Sequence, residues 1–244
     1  MNRTTLLLAT VAALLAGCSD KGTQPDTTPA VDQRVFDLIG GTGDGQVTCG
    51  DKIYPCGPYG TKTGDVAANM EFVGFQDPNE QCATHKDKVI DQANLTKISF
   101  KSFHQGGSSC SPRKLLWVIV SAGWCGPCQE DVSAAEKEYA AGNVDSRLAI
   151  LNIMFETGVP VTAITEAFTL KWINTVAGTK EKPSQKVTFP VVMDPEFKMG
   201  AYFSKAAVPF NMLIDLSTMK IYYQQVGGNA TTVGPKVQAF FQGT

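Results

Sequence analysis

Two cysteines three positions apart, set directly after an unbroken apolar run, constrain this 244-residue chain more than any other feature. Residues 114–120, Lys-Leu-Leu-Trp-Val-Ile-Val, read as a buried strand, and Trp124-Cys125-Gly126-Pro127-Cys128 follows closely. Beyond Cys125 the apolar period changes. Cys128, Val132, Ala135 and Tyr139 recur at spacings of four, three and four, which predicts a helix with that face inward. Glu130, Asp131, Glu136, Lys137 and Glu138 are expected on its remaining surface. Pro127 suits the first turn, where a backbone N–H has no intrahelical acceptor, and Gly142-Asn143 ends the run. A thiol at the start of such a helix meets unpaired backbone N–H groups and the positive end of the macrodipole, and both favour the thiolate. Cys125 is then the nucleophile. Cys128, one turn on, can attack the mixed disulfide and release the product, leaving an intramolecular disulfide.

The same spacing also serves half a zinc site or a structural bridge. No second CxxC or His pair lies at ligand spacing, and the two histidines, His85 and His104, are upstream and apart, so no metal site is expected. A merely structural bridge would need neither the strand before it nor the helix after it.

The remaining pattern is alternating α/β. Residues 69–75 alternate polar and apolar as a half-exposed strand would, and 98–100 predict a short strand. Residues 147–155 predict a second core strand. Ile164, Phe168, Trp172 and Val176 recur every four residues, predicting a helix that begins near Pro160, with Trp172 as core. Residues 190–193 read as a strand and 197–203 as a short helix. Residues 210–215 and 220–226 form a hairpin around Leu216-Ser217-Thr218, and Val233, Val237, Phe240 and Phe241 give a closing helix. Strands separated by helices imply parallel pairing, while the late hairpin implies an antiparallel edge. The expected fold class is α/β, with a mixed central sheet flanked by helices and an N-terminal extension.

At this point the residues resemble a family. WCGPC after an apolar strand looks like the active site of thioredoxin-like proteins, and Val208-Pro209 ahead of Phe210-Asn211-Met212-Leu213-Ile214-Asp215 looks like their cis-proline loop. The resemblance spans roughly residues 64 to 242. It implies that Val208 and Pro209, with Trp124, face an extended peptide substrate beside the redox pair. An X-Pro bond carries a small cis penalty, which makes such a turn attainable. Within the family the chain is most similar to TlpA-type and redoxin-like members. Thioredoxin carries a buried acid six residues before its first active-site cysteine, where this chain has Ile119. TlpA-type members often place a glutamate three residues after the second cysteine, where this chain has Asp131. By that resemblance Asp131 is the proton acceptor for Cys128. The peroxidatic pattern Pro-x-x-x-Thr-x-x-Cys is missing.

The front of the chain points to export. Asn2-Arg3 is a short positive start, residues 6–15 are apolar apart from Thr10, and Leu15-Ala16-Gly17-Cys18 closes the run. That run is too short to span a bilayer. The closing tetrapeptide resembles the bacterial lipoprotein box, which implies a signal peptide over 1–17 and lipidation at Cys18. The expected organisation continues with a lipidated tether over 18–39, a Cys/Gly-rich extension over 40–63 and a thioredoxin-like domain over 64–244. Residues 19–33 are polar with two prolines and suit a tether. The location implied is the cell envelope, facing the periplasm, with inner and outer membrane both open.

Of seven cysteines, four remain after lipid and catalysis: Cys49, Cys56, Cys82 and Cys110. In an exported chain they suggest two disulfides in one of three pairings, with Cys49 to Cys56 and Cys82 to Cys110 favoured by local closure. The formal charge of −2, without a basic cluster, gives no sign of a nucleic-acid partner. The glycine-rich stretch 40–45 lacks the Lys-Ser/Thr pair of a phosphate loop.

Two functions are consistent with this. One is a thiol–disulfide oxidoreductase, reductase favoured, acting on protein disulfides through Cys125 and Cys128, with no cofactor beyond that redox-active disulfide and with electrons from a membrane donor. The other is a copper-delivery or redox-silent binding lipoprotein of similar fold. Copper carriers of this fold use CxxxC and a distal histidine, and this chain has CxxC and no histidine after residue 104.

Overall fold

Two apolar segments, 115–120 and 148–155 with Asn152 inside it, become the centre of one sheet. The computed structural model describes residues 54–76, 90–104, 113–178, 184–227 and 230–243. Within them, β3 (Leu115–Ala122) and β4 (Leu148–Glu156) are buried at every position and pair in parallel, with Leu115 opposite Leu148 and Val120 opposite Ile153. A strand apolar on both faces needs cover on both faces, and parallel pairing with helical crossovers supplies it. The other strands are β1 (Glu71–Phe75), β2 (Thr96–Ser99), β5 (Val191–Met193), β6 (Phe210–Asp215) and β7 (Lys220–Val226). Their order in the sheet is β2-β1-β5-β4-β3-β6-β7.

The sheet is mixed, as expected. β5 runs parallel to β4, and the hairpin of β6 and β7 joins antiparallel to β3. The antiparallel edge has a counterpart on the far side, where β1 pairs antiparallel with both β5 and β2. Among the described residues the helices are α1 (Phe100–Phe103), α2 (Gly126–Ala140), α3 (Glu166–Thr175) and α4 (Ala230–Gln242), with a 3-10 turn at Lys198–Ala201. None of the described helices is long and apolar enough to cross a membrane.

Several expected boundaries move, each for a local reason. Phe100 opens α1 instead of ending β2, because the Ser102 hydroxyl accepts the Ser99 N–H and turns the chain there. The helix expected from Pro160 begins six residues later. Thr165 caps it through Oγ1 to the Phe168 N–H at 3.3 Å, while Ala163 bridges back to Glu156. The helix expected over 197–203 shrinks to the 3-10 turn, whose first N–H groups, those of Lys198 and Met199, are taken by the Asp194 carboxylate.

The larger correction concerns α2. Cys128, Val132, Ala135 and Tyr139 are buried as their spacing requires, but Asp131 and Glu136, expected on the surface, are buried too, at 1% and 0% exposure. The apolar stripe identifies only the side facing the sheet; α2 is covered on a second side. Glu136 accepts the Thr188 N–H at 2.8 Å, the Thr188 hydroxyl at 2.9 Å and the Gln185 amide at 3.2 Å. It fastens the segment ahead of β5 to the helix.

The start of the described chain packs into the same core. Tyr54 is buried, donates its hydroxyl to the Ala67 carbonyl at 2.7 Å, and meets the His104 ring edge-on at 5.8 Å. Val66 bridges to Lys220 beside β7. Residues 1–17, Cys18, the tether, Cys49, Cys82 and Cys110 lie outside the described residues, and with them both expected pairings. Cys56, which is described, is disulfide-bonded.

Glu136→Ala removes three accepted hydrogen bonds from a buried carboxylate. The expected cost is about 2–4 kcal/mol of unfolding free energy. Urea denaturation should show a lower midpoint at unchanged slope. A change under about 0.5 kcal/mol would mean that the contact does not hold the segment.

Candidate functional site

The site grows from the end of β3. Six consecutive apolar residues carry the chain to Ser121 and Ala122, and Gly123 turns it. A side chain at Gly123 would come within 2.4 Å of the Phe168 ring and 2.7 Å of the Thr157 backbone, so only glycine passes between β4 and α3 here. The Cys125 N–H then bonds back to the Ala122 carbonyl at 3.1 Å, and α2 begins.

Cys125 is the N-cap of α2. Its backbone is extended (φ −86°, ψ 105°), Pro127 stands in the first turn, and its sulfur accepts the Cys128 N–H at 3.1 Å. Sulfur therefore occupies the place that a serine or aspartate oxygen usually takes. Cys125 and Cys128 are joined as a disulfide with Cα atoms 5.2 Å apart. Cys128 is fully buried, Cys125 keeps 4% exposure, and Gly126 and Pro127 between them face solvent. The dithiol thus has one nearly buried sulfur at the positive end of a fifteen-residue helix, beside the exposed Gly126 and Pro127, and a fully buried one behind it.

The second sequence landmark closes on a ring stack. The Val208–Pro209 peptide is cis, Val208 is half-buried, and Pro209 is buried with its carbonyl accepting the Gly227 N–H at 2.7 Å. The loop that carries it is pinched at its base by Phe203 and Phe210, stacked 4.6 Å apart with planes 7° from parallel.

Asp131 lies on the buried face of α2, one turn past Cys128. Its Oδ2 accepts the Asn211 amide at 3.1 Å, and the Asn211 Oδ1 accepts the Trp117 indole N–H at 2.8 Å. An indole N–H can only donate, so it turns the Asn211 oxygen towards Trp117 and the NH2 towards Asp131. The amide thus presents a fixed donor to the carboxylate. Asn211 sits two residues after Pro209, so this bond ties the cysteine helix to the proline strand. Ile119, at the position of the thioredoxin acid, is fully buried between two asparagines in register, Asn152 on β4 and Asn211 on β6. Asn152 holds the Ser121 hydroxyl at 2.9 Å and accepts the Trp172 indole at 3.0 Å. Trp172 is core, as expected, but its indole is committed to that amide.

Sequence reasoning passed over Asn152 and Asn211. Their signal was available: a lone amide inside an apolar strand has to find a buried partner. Trp124, half-buried, donates its indole N–H to Glu156 at 2.7 Å, a contact that no local pattern announces. Among the described residues no group of three or more His, Cys, Asp or Glu side chains could hold a metal ion.

No family model matches the chain, and no curated protein matches it. Solved structures do. The reduced 2-Cys peroxiredoxin of Plasmodium vivax superposes with a TM-score of 0.51 at 11% identity, covering 74% of this chain and 82% of that one. Thioredoxin peroxidase I of Plasmodium yoelii gives 0.51 at 10% identity over 74% and 91%. The mitochondrial 2-Cys peroxiredoxin of Plasmodium falciparum gives 0.50 at 14% over 74% and 94%. At such identities the likeness concerns the fold, which is thioredoxin-like.

Asn211→Leu would remove the acceptor of the buried Trp117 N–H and one donor to the buried Asp131 carboxylate. A loss of about 2–4 kcal/mol is expected in chemical denaturation, since a buried indole N–H loses its acceptor and a buried carboxylate loses one of its donors. Wild-type stability in that variant would remove Asn211 from the tie between α2 and β6.

Proposed function

We propose that the chain is an exported thiol–disulfide oxidoreductase of the TlpA-like kind, favouring reduction, lipid-anchored at Cys18 and acting on disulfides of other proteins. The placement of Cys125 carries this: a sulfur that caps a helix, has a sliver of exposure, and has a second sulfur buried one turn behind it. In the reduced protein the Cys125 thiolate attacks one sulfur of a partner disulfide. The Cys125–partner bond forms as the partner S–S bond breaks, and the partner's other sulfur leaves as a thiolate. Cys128, its proton passed to Asp131, then attacks the Cys125 sulfur. That step expels the second partner thiol and leaves the Cys125–Cys128 disulfide, so two electrons have moved to the partner. Val208 and Pro209, with Trp124, line the approach of the peptide. The dithiol is itself the redox group, and a membrane donor restores it by the reverse exchange.

A peroxidase is the natural rival given the solved structures that share the fold. Its Pro-x-x-x-Thr-x-x-Cys arrangement is absent: three and seven residues before Cys125 stand Ala122 and Val118, and before Cys128 stand Cys125 and Ser121. Neither cysteine has the threonine or the proline. The copper-delivery reading lacks the distal histidine after the cysteine pair, since no histidine follows residue 104, and His104 itself is buried with Nδ1 on the Leu216 carbonyl at 2.7 Å.

The full chain, reduced with dithiothreitol, should accelerate reduction of insulin disulfides. Cys125→Ser should abolish the activity, Cys128→Ser should trap a covalent mixed disulfide, and Asp131→Asn should slow resolution about tenfold or more. Full activity in Cys125→Ser would overturn the assignment.

A further inference from the structure

Apart from Asp131, one buried carboxylate touches both segments that build the site. Glu156 ends β4 with 4% exposure. Its Oε2 accepts the Trp124 indole N–H at 2.7 Å, its Oε1 lies 3.5 Å from Lys205 Nζ, and its backbone carbonyl accepts the Gly123 N–H at 3.0 Å. Trp124 immediately precedes Cys125. Lys205 stands in the loop ahead of Val208-Pro209, three residues before Val208. Its ammonium is also held over aromatic faces, 4.9 Å from the Phe197 ring centre and 5.8 Å from that of Phe155.

Each contact has a physical consequence for the sulfur. The Trp124 indole has a single donor, so one acceptor sets its orientation and with it the peptide leading into Cys125. A carboxylate withdrawn from water needs a counter-charge, and Lys205 provides it while half its own side chain stays in solvent. Left bare, the Glu156 charge would oppose ionisation of the neighbouring thiol. Balanced by Lys205, it can hold Trp124 without that penalty.

We propose that Glu156 and Lys205 form a charge-balanced clamp, in which Glu156 is a positioning residue that fixes Trp124 and the Cys125 turn against the loop ahead of Pro209, while Lys205 cancels the field of Glu156 at the sulfur. This rests on the thiol–disulfide reading above. Glu156 acts through Trp124 and Lys205, the two side chains it bonds.

The test uses the reduced full chain. The rate of Cys125 alkylation by iodoacetamide is followed against pH on the peptide that carries it, beside kcat and KM for insulin. Glu156→Gln keeps an acceptor for Trp124 but removes the charge, so the alkylation profile should move down by roughly half a pH unit, the size expected of one nearby charge in a partly solvated site. kcat should stay within about twofold. Lys205→Met should move the profile up by a similar amount, and the double variant should return it to the wild-type position. Glu156→Leu, which loses the acceptor as well, should lower kcat about tenfold although the charge is gone. Glutamine and leucine variants that behave alike, or single variants that shift the profile in the same direction or not at all, would overturn the clamp. Should Glu156→Leu fail to fold, the glutamine, methionine and double variants decide. A wild-type chain that alkylates normally but reduces no disulfide would sink the enzymatic reading instead, and the alkylation arms would still judge the clamp.

Discussion

A backbone N–H bonded to a sulfur organises this molecule. The first turn of any helix leaves N–H groups without partners, and something at the N-cap has to meet them. In α2 that group is Cys125, which accepts from Cys128 across the first turn. The contact that starts the helix is therefore the contact that places the sulfur. It also fixes where the second thiol goes, because Cys128 supplies the N–H. A cap made by oxygen would build the same helix with no chemistry at its end.

The fold then brings other parts of the chain to that end. β3, buried throughout, delivers the chain to the end of the central strands, and the missing side chain at Gly123 lets it pass between Thr157 and Phe168. On one side Asp131 on α2 reaches Asn211 on β6; on the other Trp124 reaches Glu156 on β4, which meets Lys205. Apolar packing resists separation but tolerates sliding, whereas buried hydrogen bonds between committed donors and acceptors fix relative position. With the stacked Phe203 and Phe210 under the proline loop, these ties hold two segments far apart in sequence as one surface.

What was legible in the sequence follows from which signals are local. The apolar run within 114–120, the 3.6-residue recurrence after Cys125, and the hairpin at 210–226 each declare themselves within a few residues, and each forms the expected element, the strand running on to Ala122. Helix starts were less legible. Pro160 looked like an N-terminal proline, but Thr165 had the capping oxygen, and the residues between pair back towards Glu156. The burial of Asp131 and Glu136 could not be read from the α2 stripe, since it depends on Asn211, Thr188 and Gln185, at least 49 residues away in each case. The polar partners inside the sheet were half visible: Asn152 and Asn211 interrupt apolar strands, but only the fold shows that each meets a tryptophan indole.

The most direct measurement is the acid dissociation of Cys125 itself, followed by thiolate absorbance in reduced full-length protein carrying Cys128→Ser. A sulfur held at a helix start is expected to titrate below the value of about 8.5 of an ordinary free cysteine. A value at or above 8.5 would contradict the account, because the sulfur would then be a cap and nothing more.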